Sequence, residues 1–259
     1  MIMKRLALVM ASVAAAAVSA AEVMWKFSPE SVNLDSGVTC TQSADGWTLS
    51  QAKNRIRFFT KDTFEIKPDA KYYVRIKVRG MTPKSRIWVV TKNFNAQGRE
   101  ITPTSVDFDE KTLLNIGSYV HPGTTEIKIP GAEKWPEIKR TGVLVFNAQA
   151  DGSDLPNHDY YVIKSIDKDG LVKFTKPLRR GYRAETLVRR HFLNGQYHTL
   201  IGSTLTPEFQ IWRRDLQGMS EKGCIFTKWL RGTAKVRIGL EANGGDIEIA
   251  ELSFVEIAQ

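Results

Sequence analysis

The stretch Lys71–Gly80, KYYVRIKVRG, decides the fold class. Tyr72, Val74, Ile76 and Val78 alternate with Tyr73, Arg75, Lys77 and Arg79. A period of two with one apolar and one polar face is that of an antiparallel strand, buried on one side and wet on the other. The pattern recurs in 234–242, where Val236, Ile238 and Leu240 oppose Lys235 and Arg237. The closing stretch DIEIAELSFVEI (246–257) alternates at Ile247 and Ile249, then changes phase near Ala250, so that Leu252 and Phe254 carry the apolar set. Such a slip predicts a bulge or a strand break. Further strands are expected over 54–60, 85–94, 124–130, 142–149, 160–166, 171–178, 186–191, 208–216 and 224–230, separated by turn residues such as Lys67-Pro68-Asp69, Asp151-Gly152-Ser153 and Asn243-Gly244-Gly245. No run of i, i+3, i+4 apolar spacing follows residue 21. Many short strands without helix predict an all-β, antiparallel sandwich or barrel.

The first twenty residues read as a cleavable signal peptide: Lys4 and Arg5, an apolar run from Leu6 to Val18, and small residues at Val18-Ser19-Ala20. The expected product is a secreted or periplasmic chain starting at Ala21 or Glu22, with no transmembrane segment in the mature protein. Removing Lys4 and Arg5 takes the net charge from +9 to +7. The charge is uneven, since residues 171–240 hold 14 Lys or Arg against four acids, a local +10. A basic face attracts anionic partners or serves as a solvated surface. Export argues against nucleic acid. The two cysteines, Cys40 and Cys224, would meet an oxidising compartment, and a disulfide between them is expected.

The segment TFEIKPDAKYYVRIKVRG (63–80) resembles an early strand pair of jelly-roll carbohydrate-binding modules of the galactose-binding-like kind. The ending AKVRIGLEANGGDIEIAELSFVEI (234–257) resembles their closing hairpin and terminal strand. The resemblance implies a jelly-roll β-sandwich, here expected from 21–95 and 208–259. The segment 96–207 between them is too long for a structureless loop. It has its own strands and is expected to form an inserted small β barrel or subdomain.

Catalytic chemistry finds little footing. There is no Gly-x-Ser-x-Gly elbow, and His121, His158, His191 and His198 have no Ser or Cys partner at an informative spacing. His191 beside Arg189 and Arg190, with Tyr197 nearby, is the cluster most like a polysaccharide lyase, against the plainer reading of a polar strand end. A glycosidase needs two carboxylates about 5–10 Å apart, and no spacing singles out a pair. The loop from Asp151 to Asp159 offers Asp151, Asp154, Asn157 and Asp159 to a structural calcium ion; turns in which Asp and Asn bond their own backbone have the same composition. No Cys/His set has zinc spacing, and no other cofactor is expected.

Trp and Tyr are the usual platforms for a sugar ring. In 85–93 Trp88 shares the polar side with Arg86, opposite Ile87 and Val89. In 208–216 Trp212 shares a side with Gln210 and Arg214, opposite Phe209 and Ile211. If the insert leaves and re-enters one domain, these strands meet, and Trp88, Trp212, Arg86 and Arg214 are expected to form a ligand surface. The resulting expectation is a secreted, non-catalytic protein that binds a polysaccharide, an anionic one by its charge. The alternatives are a structural or adhesive surface protein that meets a partner protein, and a polysaccharide lyase or glycosidase.

Overall fold

The computed structural model describes residues 21–52, 55–137 and 141–258. The signal-peptide reading therefore lies outside the described residues. The chain opens with β1 (Ala21–Lys26), β2 (Val32–Leu34), β3 (Thr39–Gln42), β4 (Trp47–Ser50), β5 (Arg55–Thr60), β6 (Phe64–Glu65), β7 (Lys71–Gly80), β8 (Arg86–Phe94) and β9 (Glu100–Ile101). A one-turn helix α1 (Pro103–Val106) leads into β10 (Leu114–Asn115), β11 (Glu126–Lys128), β12 (Gly142–Phe146), β13 (Tyr160–Ile166), β14 (Leu171–Phe174) and β15 (Leu187–Phe192). The chain then returns through β16 (His198–Thr204), β17 (Gln210–Gln217), β18 (Lys235–Asn243) and β19 (Ile247–Ile257).

Two antiparallel sheets face each other. The first has the order β17-β7-β19-β4-β3, with β1 paired to the far half of β19; the second has the order β16-β8-β18-β5-β2, extended by β6 and β9. Successive strands switch sheets: β7 to β8, β16 to β17, β17 to β18 and β18 to β19. That alternation is the jelly-roll form of a sandwich. The core between the sheets is built by the alternation seen in the sequence. Tyr72, Val74, Ile76 and Val78 of β7 meet Ile87 and Val89 of β8 and Val236, Ile238 and Leu240 of β18, all buried. Each such side chain contributes about 1.5–3 kcal/mol on burial. The polar side of β7 is tied down by ion pairs, Arg75 with Glu251 and Arg79 with Glu248, while the Arg213 guanidinium lies 3.9 Å from the Tyr73 ring centroid.

The phase change near Ala250 is a bulge: the β19–β7 register shifts between Ile249 and Glu251. Gly46 makes room for it. A Cβ there would lie 2.2 Å from the Ile249 carbonyl oxygen, closer than any side chain can sit.

The intervening segment forms its own six-stranded antiparallel sheet, β10-β15-β12-β13-β14-β11, with β10 and β11 as edges. Its core is separate from that of the sandwich and centres on Phe146 stacked on Tyr182 at 3.8 Å. A small apolar cluster of Ile101, Val106 and Leu230 joins the two bodies. His198–Thr204, on the insert's side of the expected boundary at 207, is β16 and pairs with β8 in the second sheet. The strand expected over 224–230 is instead part of a long loop between β17 and β18 that reaches the insert, where Gly223 N donates to the Val106 carbonyl at 3.1 Å.

That loop carries Cys224 onto the Ile101–Val106–Leu230 cluster at the insert. Cys40 lies on the edge strand β3 and packs against the sandwich core. The two cysteines belong to different packing clusters.

Candidate functional site

The structure divides the four expected ligand residues into two pairs. Trp88 and Arg86 point outward from the second sheet, since Ile87 and Val89 between and beyond them are fully buried. Trp212 and Arg214 face the other way. They sit opposite Ile76 and Val74, both core residues, and share their side with buried Leu216. Trp212 packs against the sandwich core, and Arg214 Nε donates to the Leu200 carbonyl of β16 at 3.0 Å, stitching the rims of the two sheets. Ile211, expected inward, is 54% exposed. Because β17 is an edge strand, its inner side takes half-buried Arg and Gln as readily as apolar groups.

Trp88 lies in a row that crosses four strands. Gly202 of β16 and Glu241 of β18 are its direct neighbours, and Arg57 of β5 is the next. Adjacent strands lie about 4.8 Å apart, so Trp88 to Glu241 is roughly the width of one sugar ring. Gly202 lets the indole lie close to the sheet: a Cβ there would be 3.1 Å from Trp88 Cδ1. Glu241 and Arg57 are fixed beside it. Arg57 Nε donates to Asp35 at 2.8 Å, and its Nη1 is 3.9 Å from Glu241. All three remain partly accessible, with side-chain exposures of 28% for Arg57, 38% for Asp35 and 22% for Glu241.

The next row repeats the device. Gly239 of β18 leaves space for Phe59, whose ring carbons would be 2.4 Å from a Cβ at that position. Tyr197 meets Phe59 edge-on at 4.8 Å, and Lys92 Nζ sits 4.4 Å from the Phe59 ring centroid and 5.5 Å from that of Tyr197. Burial raises the Tyr197 hydroxyl above the ordinary phenol range. The surface thus combines a flat indole, an acidic acceptor and cationic donors. It can stack an apolar sugar face and bond hydroxyls at its rim. Phe59, Arg57, Lys92 and Glu241 were missed from sequence, and Tyr197 was grouped with His191 instead. The available signal was a glycine inside each of two strands, at 202 and 239, which marks close approach.

The cluster compared with lyases is internal. His191, Arg189 and Arg190 are all buried. Arg189 Nη2 donates to both Asp154 oxygens at 2.9 and 3.1 Å, its Nε to His191 Nε2 at 3.3 Å, and His191 Nδ1 meets the Thr104 carbonyl at 2.9 Å. Tyr197 is not part of it and belongs to the Trp88 side. The oxygen-rich loop is engaged in the same way. Besides Arg189, Asp154 accepts from Asn157 Nδ2 at 3.0 Å; Asp159 accepts from Tyr182 Oη at 2.8 Å and pairs with Arg180; Asp151 accepts from Ser153 N at 2.9 Å. Among the described residues no three His, Cys, Asp or Glu side chains converge as a metal site.

Neither a family model nor a curated protein sequence matches the chain. Several solved structures bear a distant likeness. The carbohydrate recognition domain of Emp46p, in its potassium-bound form, is 14% identical over 87% of this chain and 88% of that one, with a TM-score of 0.34. The lectin from Bauhinia forficata in complex with GalNAc is 9% identical over 90% and 98%, with a TM-score of 0.31. VP17, a capsid protein of bacteriophage P23-77, is 12% identical over 93% and 99%, with a TM-score of 0.18. All three scores are below 0.5, so the case for function rests on this chain's own residues.

Proposed function

We propose that this is an exported, non-catalytic glycan-binding protein that holds a polysaccharide on the outer face of its second sheet, around Trp88. The observation that carries the reading is the indole laid over Gly202 with Glu241 and Arg57 fixed next to it. A glycine beneath the ring and an ion-paired acid beside it make a pre-ordered site, which lowers the entropy lost on binding. Burial of the His191–Arg189 cluster removes the strongest lyase-like candidate and supports a binding role over a cleaving one.

The test is affinity electrophoresis through gels containing a panel of polysaccharides, with wild type, Trp88→Ala and Trp212→Ala. Trp88→Ala should lose at least about tenfold in affinity, equivalent to about 1.4 kcal/mol, with an unchanged melting temperature. Trp212→Ala should instead lower the melting temperature, because that ring packs on the core. Retention of the Trp88→Ala protein equal to wild type would end the assignment. Export is tested separately by mass spectrometry of the protein from its host, where an intact Met1 on secreted material would refute it.

A further inference from the structure

A second pocket lies at the junction of sandwich and insert, some distance along β8 from Trp88. It has a volume of about 700 Å³ and is lined by Arg99 from the β8–β9 turn, by His158, Asp159 and Tyr161 at the start of β13, and by Arg179 and Arg180 after β14. That volume is within the range of about 300–1,000 Å³ usual for small-ligand pockets, which favour the seams between bodies.

The charges of its wall do not cancel. The two acids are engaged: Asp154 by buried Arg189, and Asp159 by Arg180 and the Tyr182 hydroxyl. Arg180 is thereby fixed at the rim. Arg179 is held by its backbone, whose N–H donates to Tyr161 Oη at 2.9 Å. Among the described residues neither Arg99 nor Arg179 has an ion-pair partner. His158 Nε2 is buried against the pocket wall without a hydrogen-bond partner. Burial first, and then the charge of Arg99, hold the His158 ring below the ordinary imidazole range. A cationic neighbour that suppresses a proton on the ring is the field that an oxyanion would neutralise. Guanidinium groups supply donors only, in a fork that matches carboxylate and sulfate.

We propose that this junction pocket binds the carboxylate or sulfate group of an acidic saccharide through Arg99 and Arg179, with His158 at its floor. The site is independent of the Trp88 surface.

Isothermal titration of the full chain with short probes tests it: digalacturonate, a sulfated disaccharide, neutral maltose and inorganic sulfate. The wild type should bind one or both acidic disaccharides and not maltose. Arg99→Ala/Arg179→Ala should weaken that binding at least tenfold, while Lys26→Ala/Lys61→Ala, which removes the same charge from exposed sites elsewhere, should stay within twofold. Equal losses in the two variants would mean diffuse attraction and would overturn the site, as would no loss in the arginine variant. Inorganic sulfate binding as tightly as the disaccharides would overturn the saccharide class. An oligoglutamate peptide that binds more tightly and competes would replace it with an acidic protein segment. The Trp88→Ala protein should bind the acidic disaccharides as wild type does, so failure here and failure of the Trp88 surface are read separately.

Discussion

Mild acid should destabilise this protein before its carboxylates titrate, because two imidazoles are buried in neutral form. His191 lies in the polar seam of the insert, and His198 points inward from β16, opposite Thr91. Burial is the main cause that lowers each from 6.5 to about 4. For His191 the geometry fixes the tautomer. Nδ1–H donates to the Thr104 carbonyl, and Nε2 accepts from Arg189, so a second ring proton would face a guanidinium N–H. A folded-state value below the unfolded one means that the stabilisation is complete above pH 6.5 and is lost as pH falls from there toward 4. At pH 5 the linkage relation gives about 2 kcal/mol for each ring, or about 4 kcal/mol together. That is a large share of the roughly 5–15 kcal/mol by which domains are stable. His158 is lowered in the same direction, by burial and then by Arg99, and contributes with the same sign. Glu248, whose carboxyl accepts from Ser43 and Arg79 and is lowered by them, loses its contribution only at more acid pH. Urea unfolding at pH 7.5, 6 and 5 measures the loss. His198→Phe should roughly halve it. A stability that changes by less than about 1 kcal/mol between pH 7.5 and 5 would refute the reasoning, as would an undiminished loss in the His198→Phe protein.

Other consequences are open to direct test. Asp154→Ala should cost about 3–5 kcal/mol in denaturant unfolding, since it strands the Arg189 charge, whose side chain is 3% exposed. Gly239→Ala should destabilise by about 1–3 kcal/mol and weaken polysaccharide retention, because the new methyl must displace the Phe59 ring; unchanged affinity would detach Phe59 from the site. Thiol titration of the unfolded, non-reduced protein tests the Cys40–Cys224 bridge expected from the sequence: no thiol should react before reduction and two after it, and two thiols without reductant would exclude the bridge.

What was legible in the sequence was local. The strand at 71–80 shows its alternation because both of its faces are uniform, one in the core and one in an ion-paired ladder. The bulge at Ala250 could be read because a phase slip leaves a mark in the residue order. Trp212 was misplaced because edge strands have no strictly apolar side. Cys224 was misplaced because the apolar run after it serves a loop wedge, not a strand. The Trp88 row was half legible. Trp88 and Arg86 share a strand, but Glu241 and Arg57 arrive through the register of β18 and β5, and no spacing along the chain encodes that register. Glycines 202 and 239 were the visible trace of it.

The strand order has a consequence for how the chain reaches its fold. The middle strand of the first sheet is β19 and that of the second is β18, and these are the last two strands in the described chain. During synthesis β7 and β8 emerge with no central partner to pair with, and must wait for residues 235–257. Until then the sandwich strands carry long, unsatisfied edges and no closed core of their own, a state that aggregates unless it is shielded. The insert, whose sheet and core are complete by residue 192, can close first and leave the two sandwich sheets as the last part of the chain to assemble.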